Sequence, residues 1–76
     1  MVELVKFIAQ SLVENPEAVD VREVIEADKI TIELRVDPSD MGKVIGRQGR
    51  IAKAIRTVVK AASARSEKPV FVEIIE

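Results

Sequence analysis

Few residues in this chain could do chemistry. It contains no histidine, cysteine, tyrosine or tryptophan, which removes the usual general bases, the thiol nucleophile and the commonest metal ligands at once. Ser11, Ser39, Ser63 and Ser66 have no plausible activating partner, and the thirteen carboxylates are scattered rather than paired as acid and base. Neither catalysis nor a metal or cofactor is expected. What remains is Met41 to Ile51, M-G-K-V-I-G-R-Q-G-R-I, which holds all three glycines of the protein.

Gly46 and Gly49 enclose Arg47 and Gln48 in a G-x-x-G loop. Glycine reaches positive φ without a Cβ penalty and lets another backbone approach closely. Amides at the start of a following helix point outward unpaired and carry the positive end of the helix dipole, which suits a phosphate. Lys43, Arg47 and Arg50 would add charge on the same rim. The loop lacks the Lys-Ser/Thr ending of a P-loop, and its G-x-x-x-G-x-x-G spacing is not the dinucleotide fingerprint. Two glycines three apart are a weak signal alone; Val44 and Ile45 before them and a basic helical pattern after them strengthen it.

Net charge is −1, yet it is unevenly spread. Met1 to Pro38 carries nine acids and four bases, or −5, whereas Ser39 to Lys68 carries eight bases and two acids, or +6. A basic field around the glycine loop is set against an acidic remainder, as in a protein that recruits phosphate at one face.

These residues need elements to hold them. Val5, Ile8 and Leu12, with Leu4 and Ala9, mark a helix from about Val2 to Glu14, ended at Asn15 by Pro16. Phe7 falls on its polar side, either as an ordinary exposed apolar residue or as a partner contact. Val19 to Glu26 reads as a strand of unclear register, with a short turn at Ala27 and Asp28. Ile30, Ile32, Leu34 and Val36 alternate with Thr31, Glu33, Arg35 and Asp37, the pattern of a strand with one face buried. Asp37 as cap and Pro38 at the first position start a short helix, broken at Gly46. A second helix runs from beyond Gly49 to about Ala64, with Ile51, Ile55, Val58, Val59 and Ala62 on one side. Lys53, Arg56 and Lys60 share another, which reads as a solvated face or as a phosphate-attracting one. Val70 to Ile75 is a final strand.

The order is helix, strand, strand, helix, helix, strand. A strand, two helices and a strand make a crossover long enough for parallel pairing. Ile30 to Val36 should therefore lie centrally, antiparallel to the strand before it and parallel to the last. A ferredoxin-like fold is the nearest competitor, but its first strand is missing. Seventy-six residues make one domain, 1–76, near the lower limit for folding alone, and 47% apolar content is enough for a two-layer core. The lack of cysteine fits a reducing cytoplasm, and the apolar runs are too short for a signal peptide or membrane span.

G-K-V-I-G-R-Q-G-R resembles the signature of KH domains, which clamp about four nucleotides of single-stranded RNA. From end to end the chain is similar to the KhpA-type family of small bacterial single-KH proteins, through E-N-P-E, D-P-S-D-M-G and A-K-A-I-R-T-V-V-K-A-A as well. The resemblance implies an α+β type II KH fold, ordered α-β-β-α-α-β, its three-stranded mixed sheet covered on one face by three helices. It implies RNA binding at Gly42, Lys43, Ile45, Gly46, Arg47, Gln48, Gly49, Arg50 and Lys53. Ile45 reads equally as core. The role implied is that of a non-catalytic RNA chaperone or post-transcriptional regulator in the cytoplasm, with self-association and pairing with a larger Jag-type KH protein. The alternative is a protein-interaction module with little RNA contact. Scarce aromatics argue against stacking platforms. The expected groove is walled by the two later helices, floored by the central strand and bounded by Ala64 to Lys68.

Overall fold

The computed structural model describes residues 1–75 and, of Arg47, the backbone. Helix α1 spans Val2–Leu12, strands β1 and β2 span Asp20–Ile25 and Ile30–Arg35, helices α2 and α3 span Pro38–Ile45 and Arg50–Ala62, and strand β3 spans Val70–Ile75. Single 3-10 turns, Pro16–Ala18 and Arg47–Gly49, join α1 to β1 and α2 to α3. The order and pairing are those of the expected type II KH arrangement. Strand β2 is central, antiparallel to β1 and parallel to β3.

The alternation in β2 decides which face is covered. Ile32 and Leu34 are fully buried, and Leu34 stands between Val21 of β1 and Ile74 of β3. They meet Val5 and Ala9 of α1, Val44 of α2, and Ile55 and Val59 of α3 in one core with Val19 and Val36. Burying a side chain such as Ile55 stabilises by about 1.5–3 kcal/mol. The opposite face carries Arg22, Val24, Thr31, Glu33, Arg35, Phe71 and Glu73 in register. The unclear register at Val24 and Ile25 resolves as pairing with Thr31 and Ile30, and the Glu26 amide bonds the Lys29 carbonyl across the Ala27–Asp28 turn.

Several expectations need correction. Helix α1 ends at Leu12 rather than Glu14, because the amides of Glu14 and Asn15 bond the carboxylate of Asp40 instead of continuing the helical ladder. Leu12, in the last turn before the chain leaves the core, is exposed. On α3, Val58 and Ala62 are exposed and Ala52 is buried, so the packed stripe runs Ala52, Ile55 and Val59 with Ile51 at its edge. The helix stops at Ala62, and Ser63 and Ala64 continue as turns. Phe7 points to solvent, 68% exposed. No helix among the described residues is long and apolar enough to cross a membrane.

Candidate nucleic-acid interface

Helix α2 is short, and its placement depends on how it is tied at its start. Asp37 caps it, accepting from the Ser39 amide at 2.9 Å, and Pro38 occupies the first turn, where a missing N–H loses nothing. Asp40 is only 1% exposed, yet fully satisfied: Oδ1 accepts from the Glu14 amide at 3.1 Å, and Oδ2 from the Asn15 amide and Asn15 Nδ2, both at 3.0 Å. Burial alone pushes the Asp40 carboxyl up. The bonds from Asn15 and Glu14, with the field of Lys43, outweigh that and hold it below the ordinary carboxylate value. This buried carboxylate fastens α2 to the end of α1.

At its other end α2 breaks at Gly46. A Cβ there would lie 2.1 Å from the Gly42 carbonyl oxygen, which accepts the Gly46 amide, so only glycine lets the chain turn so close to the preceding helical turn. Gly49 is glycine for a different reason. Its φ of 66° is left-handed, following Gln48 at φ 64°, and these two residues redirect the chain into α3. Gln48 holds this conformation despite its Cβ, a local strain at the loop tip.

The sequence leads one to expect every loop amide from Gly46 to Gly49 to be free for phosphate, and two of them are not. Those of Gly46 and Gly49 close internal turns, onto the carbonyls of Gly42 and Gly46. Among the described residues the Gln48 amide has no backbone acceptor, and the first turn of α3 carries no side-chain cap. That leaves the Gln48 amide and the first turn of α3, at the positive end of a 13-residue helix, as donors without a turn or side-chain partner among the described residues.

The proposed contacts are distributed unequally around this turn. Gly42 lies exposed on α2, and nothing approaches the position its Cβ would take. Ile45, three residues on, is 50% exposed rather than core, so Gly42 and Ile45 present a smooth apolar strip leading to the loop. Arg50 and Lys53 are exposed and make no ion pair among the described residues. Lys43 is not with them: its ammonium is paired with Glu14, at the end of α1. The side chain of Arg47 lies outside the described residues.

A cleft of about 570 Å³ opens further along α3. It lies between α3 and β3, bounded by the loop after α3, so its floor is the edge strand and not the central one. Strand β2 is too well covered by the helices to form it. Arg56 and Lys60 line this cleft from α3, and Val70 and Val72 from β3. Arg56 and Lys60 are not among the loop residues singled out from the sequence, where their stripe reads as a solvated or a phosphate-attracting face. Their shared stripe with Lys53 was the available signal. The far rim is held by Lys68, whose Nζ donates to the Glu26 carbonyl at 2.9 Å and ties the loop to the β1–β2 turn. No group of potential metal ligands occurs among the described residues.

Comparison with known proteins agrees with this geometry. The family model described as "KhpA/KhpB, KH domain" matches residues 2–74. A protein of Clostridium perfringens named RNA-binding protein KhpA is 64% identical over 99% of this chain and 100% of its own. One of the same name from Caldanaerobacter subterraneus is 63% identical with the same coverage, and one from Aquifex aeolicus 46% over 97% of this chain and 94% of its own. No solved structure matches. With the fold, the loop and the similarity all extending over nearly the whole chain, this protein belongs to the KhpA/KhpB KH-domain family.

Proposed function

We propose that the protein binds single-stranded RNA without catalysis, holding the backbone at the Gly46 to Gly49 turn. The observation that carries this reading is the Gln48 amide, without a backbone acceptor among the described residues, beside the uncapped start of α3, on a helix whose Arg50, Lys53, Arg56 and Lys60 are exposed. Amides and cations together suit a phosphodiester, and the apolar strip of Gly42 and Ile45 suits the flat face of a base. From the loop the strand runs along the basic flank of α3 into the cleft against β3. The names of the relatives support RNA as the polymer. One such site gives modest affinity and little sequence discrimination, as befits a cytoplasmic RNA chaperone or post-transcriptional regulator.

A chemical-shift titration with short RNA and DNA oligonucleotides tests this. Shifts should concentrate at residues 42–53 and favour RNA. The doubly substituted Arg47→Asp, Gln48→Asp chain should stay folded and lose binding; retained binding would remove the loop from the mechanism.

A second reading is favoured by exposed Phe7, Phe71 and Val58. These could serve contact with a second copy or with a larger Jag-type KH protein, leaving RNA contact minor. The two readings are compatible, since a dimer joins two weak sites and raises avidity. Sedimentation with and without an oligoribonucleotide separates them.

A further inference from the structure

Lys43 stands next to the exposed Gly42 and one helical turn before Gly46, yet its ammonium is turned to the end of α1, onto Glu14 Oε1. Asp40, three residues earlier on the same helix, adds a second negative field there. The two carboxylates differ in freedom. Asp40 is buried and held by Glu14 and Asn15 through three hydrogen bonds. The side chain of Glu14 is 74% exposed, and Lys43 is its one partner among the described residues. Glu14 can therefore leave where Asp40 cannot.

We propose that Glu14 is an internal substitute for phosphate: by occupying Lys43 it withholds one cation from the glycine loop and so sets the affinity and salt dependence of RNA binding. The inference rests on the RNA-binding reading above. Carboxylate and phosphodiester are both oxyanions, and an ammonium on a flexible four-carbon stem pairs with either as a point charge. A half-exposed ion pair is weak, so exchange between the two anions is reversible rather than a lock. With Glu14 in place, Lys43 releases few counterions when RNA binds, and the salt slope counts only the unpaired cations of the loop and α3. Glu14 acts through Lys43 and is a positioning residue, not one that touches RNA.

The experiment is a set of oligoribonucleotide titrations at several salt concentrations on the full chain. Glu14→Gln keeps the shape and removes the charge. It should tighten binding at low salt by about two- to five-fold and steepen the slope of log affinity against log salt by about 0.7. Thermal stability should be unchanged or slightly lower, opposite in sign to the gain in binding. Glu17→Gln makes the same change in net charge without touching Lys43 and should leave the slope as it was. Lys43→Gln should do little in the native chain but cancel the gain in the Glu14→Gln background, the coupling a double-mutant cycle reads. An unchanged slope in Glu14→Gln overturns the inference, as does a native chain that loses about 0.7 of slope on Lys43→Gln. Native binding with an unresponsive Glu14→Gln removes this inference alone; no binding by any chain removes the RNA-binding reading with it.

Discussion

The carbonyl oxygen of Gly42 occupies the space that a side chain on Gly46 would need, 2.1 Å from the ideal Cβ position. The main-chain carbonyl at position 42, whatever side chain that position carries, thus requires glycine at 46. Gly46→Ala must push the loop away from α2, at about 1–3 kcal/mol of stability, the range for overpacking. Urea unfolding should show that loss, with shift changes confined to residues 42–50.

Gly42 itself has no such constraint. Its Cβ position is open, and a glycine within a helix is less stable than alanine by about 0.5–1 kcal/mol. Gly42→Ala should therefore raise the unfolding midpoint. If a base lies against the strip of Gly42 and Ile45, the same change should weaken RNA binding, so stability and affinity should move in opposite directions. Improved stability with unaltered affinity would place the strand elsewhere.

Gln48 tests whether main chain or side chain holds the phosphate. Gln48→Gly removes left-handed strain while keeping the amide, so binding should persist with stability near the native value. Gln48→Asp keeps the amide and adds a like charge beside the phosphate; it alone should weaken binding measurably in a filter assay.

Asp40 makes the fold acid-sensitive. Its carboxyl is held below the ordinary value of 3.8, so the folded state binds its proton less readily than the unfolded chain does. Its stabilisation is present in full above the unfolded value and is lost as pH falls through the lower, folded one. Asp40→Asn should be less stable at neutral pH and show a flatter loss of stability below pH 4. Thermal melts across pH 2–7 on both chains check this. Equal acid limbs would assign the sensitivity to other carboxylates.

The cleft makes a length-dependent claim. With about two or three phosphates neutralised at the glycine loop, the salt slope should lie near −1.4 to −2 for an oligonucleotide confined to it, and be steeper for one that spans α3. Lys60→Gln should make that slope shallower by about 0.7, and leave a dinucleotide bound at the glycine loop unaffected. Equal effects on both lengths would mean that Lys60 acts only through the general field.

What the chain revealed in advance depended on how far apart the partners lie. Strand β2 could be read from its own alternation, and the start of α2 from Asp37 and Pro38, because period and cap are local. The break at Gly46 was equally plain. The Asp40 clamp was invisible, since Glu14 and Asn15 are 26 and 25 residues away and nothing local distinguishes Asp40 from a first-turn acid. The Lys43–Glu14 pair is hidden for the same reason, its members lying 29 residues apart. On α3 the sequence pattern placed the apolar stripe about one position off: a helical wheel shows which residues cluster, not which edge of the cluster neighbours cover. The floor of the cleft required knowing that β3 is the exposed rim of the sheet.

Helix α3 also acts as a ruler. Its 13 residues give a rod of about 20 Å, with the glycine turn at one tip and the pocket near the other. Among the described residues the cleft ends at the Lys68 tie. On the proposed reading a single molecule grips only a few nucleotides, and a long transcript offers room for many molecules side by side. Occupancy along such a strand would then rise with protein concentration rather than with any one strong landing place.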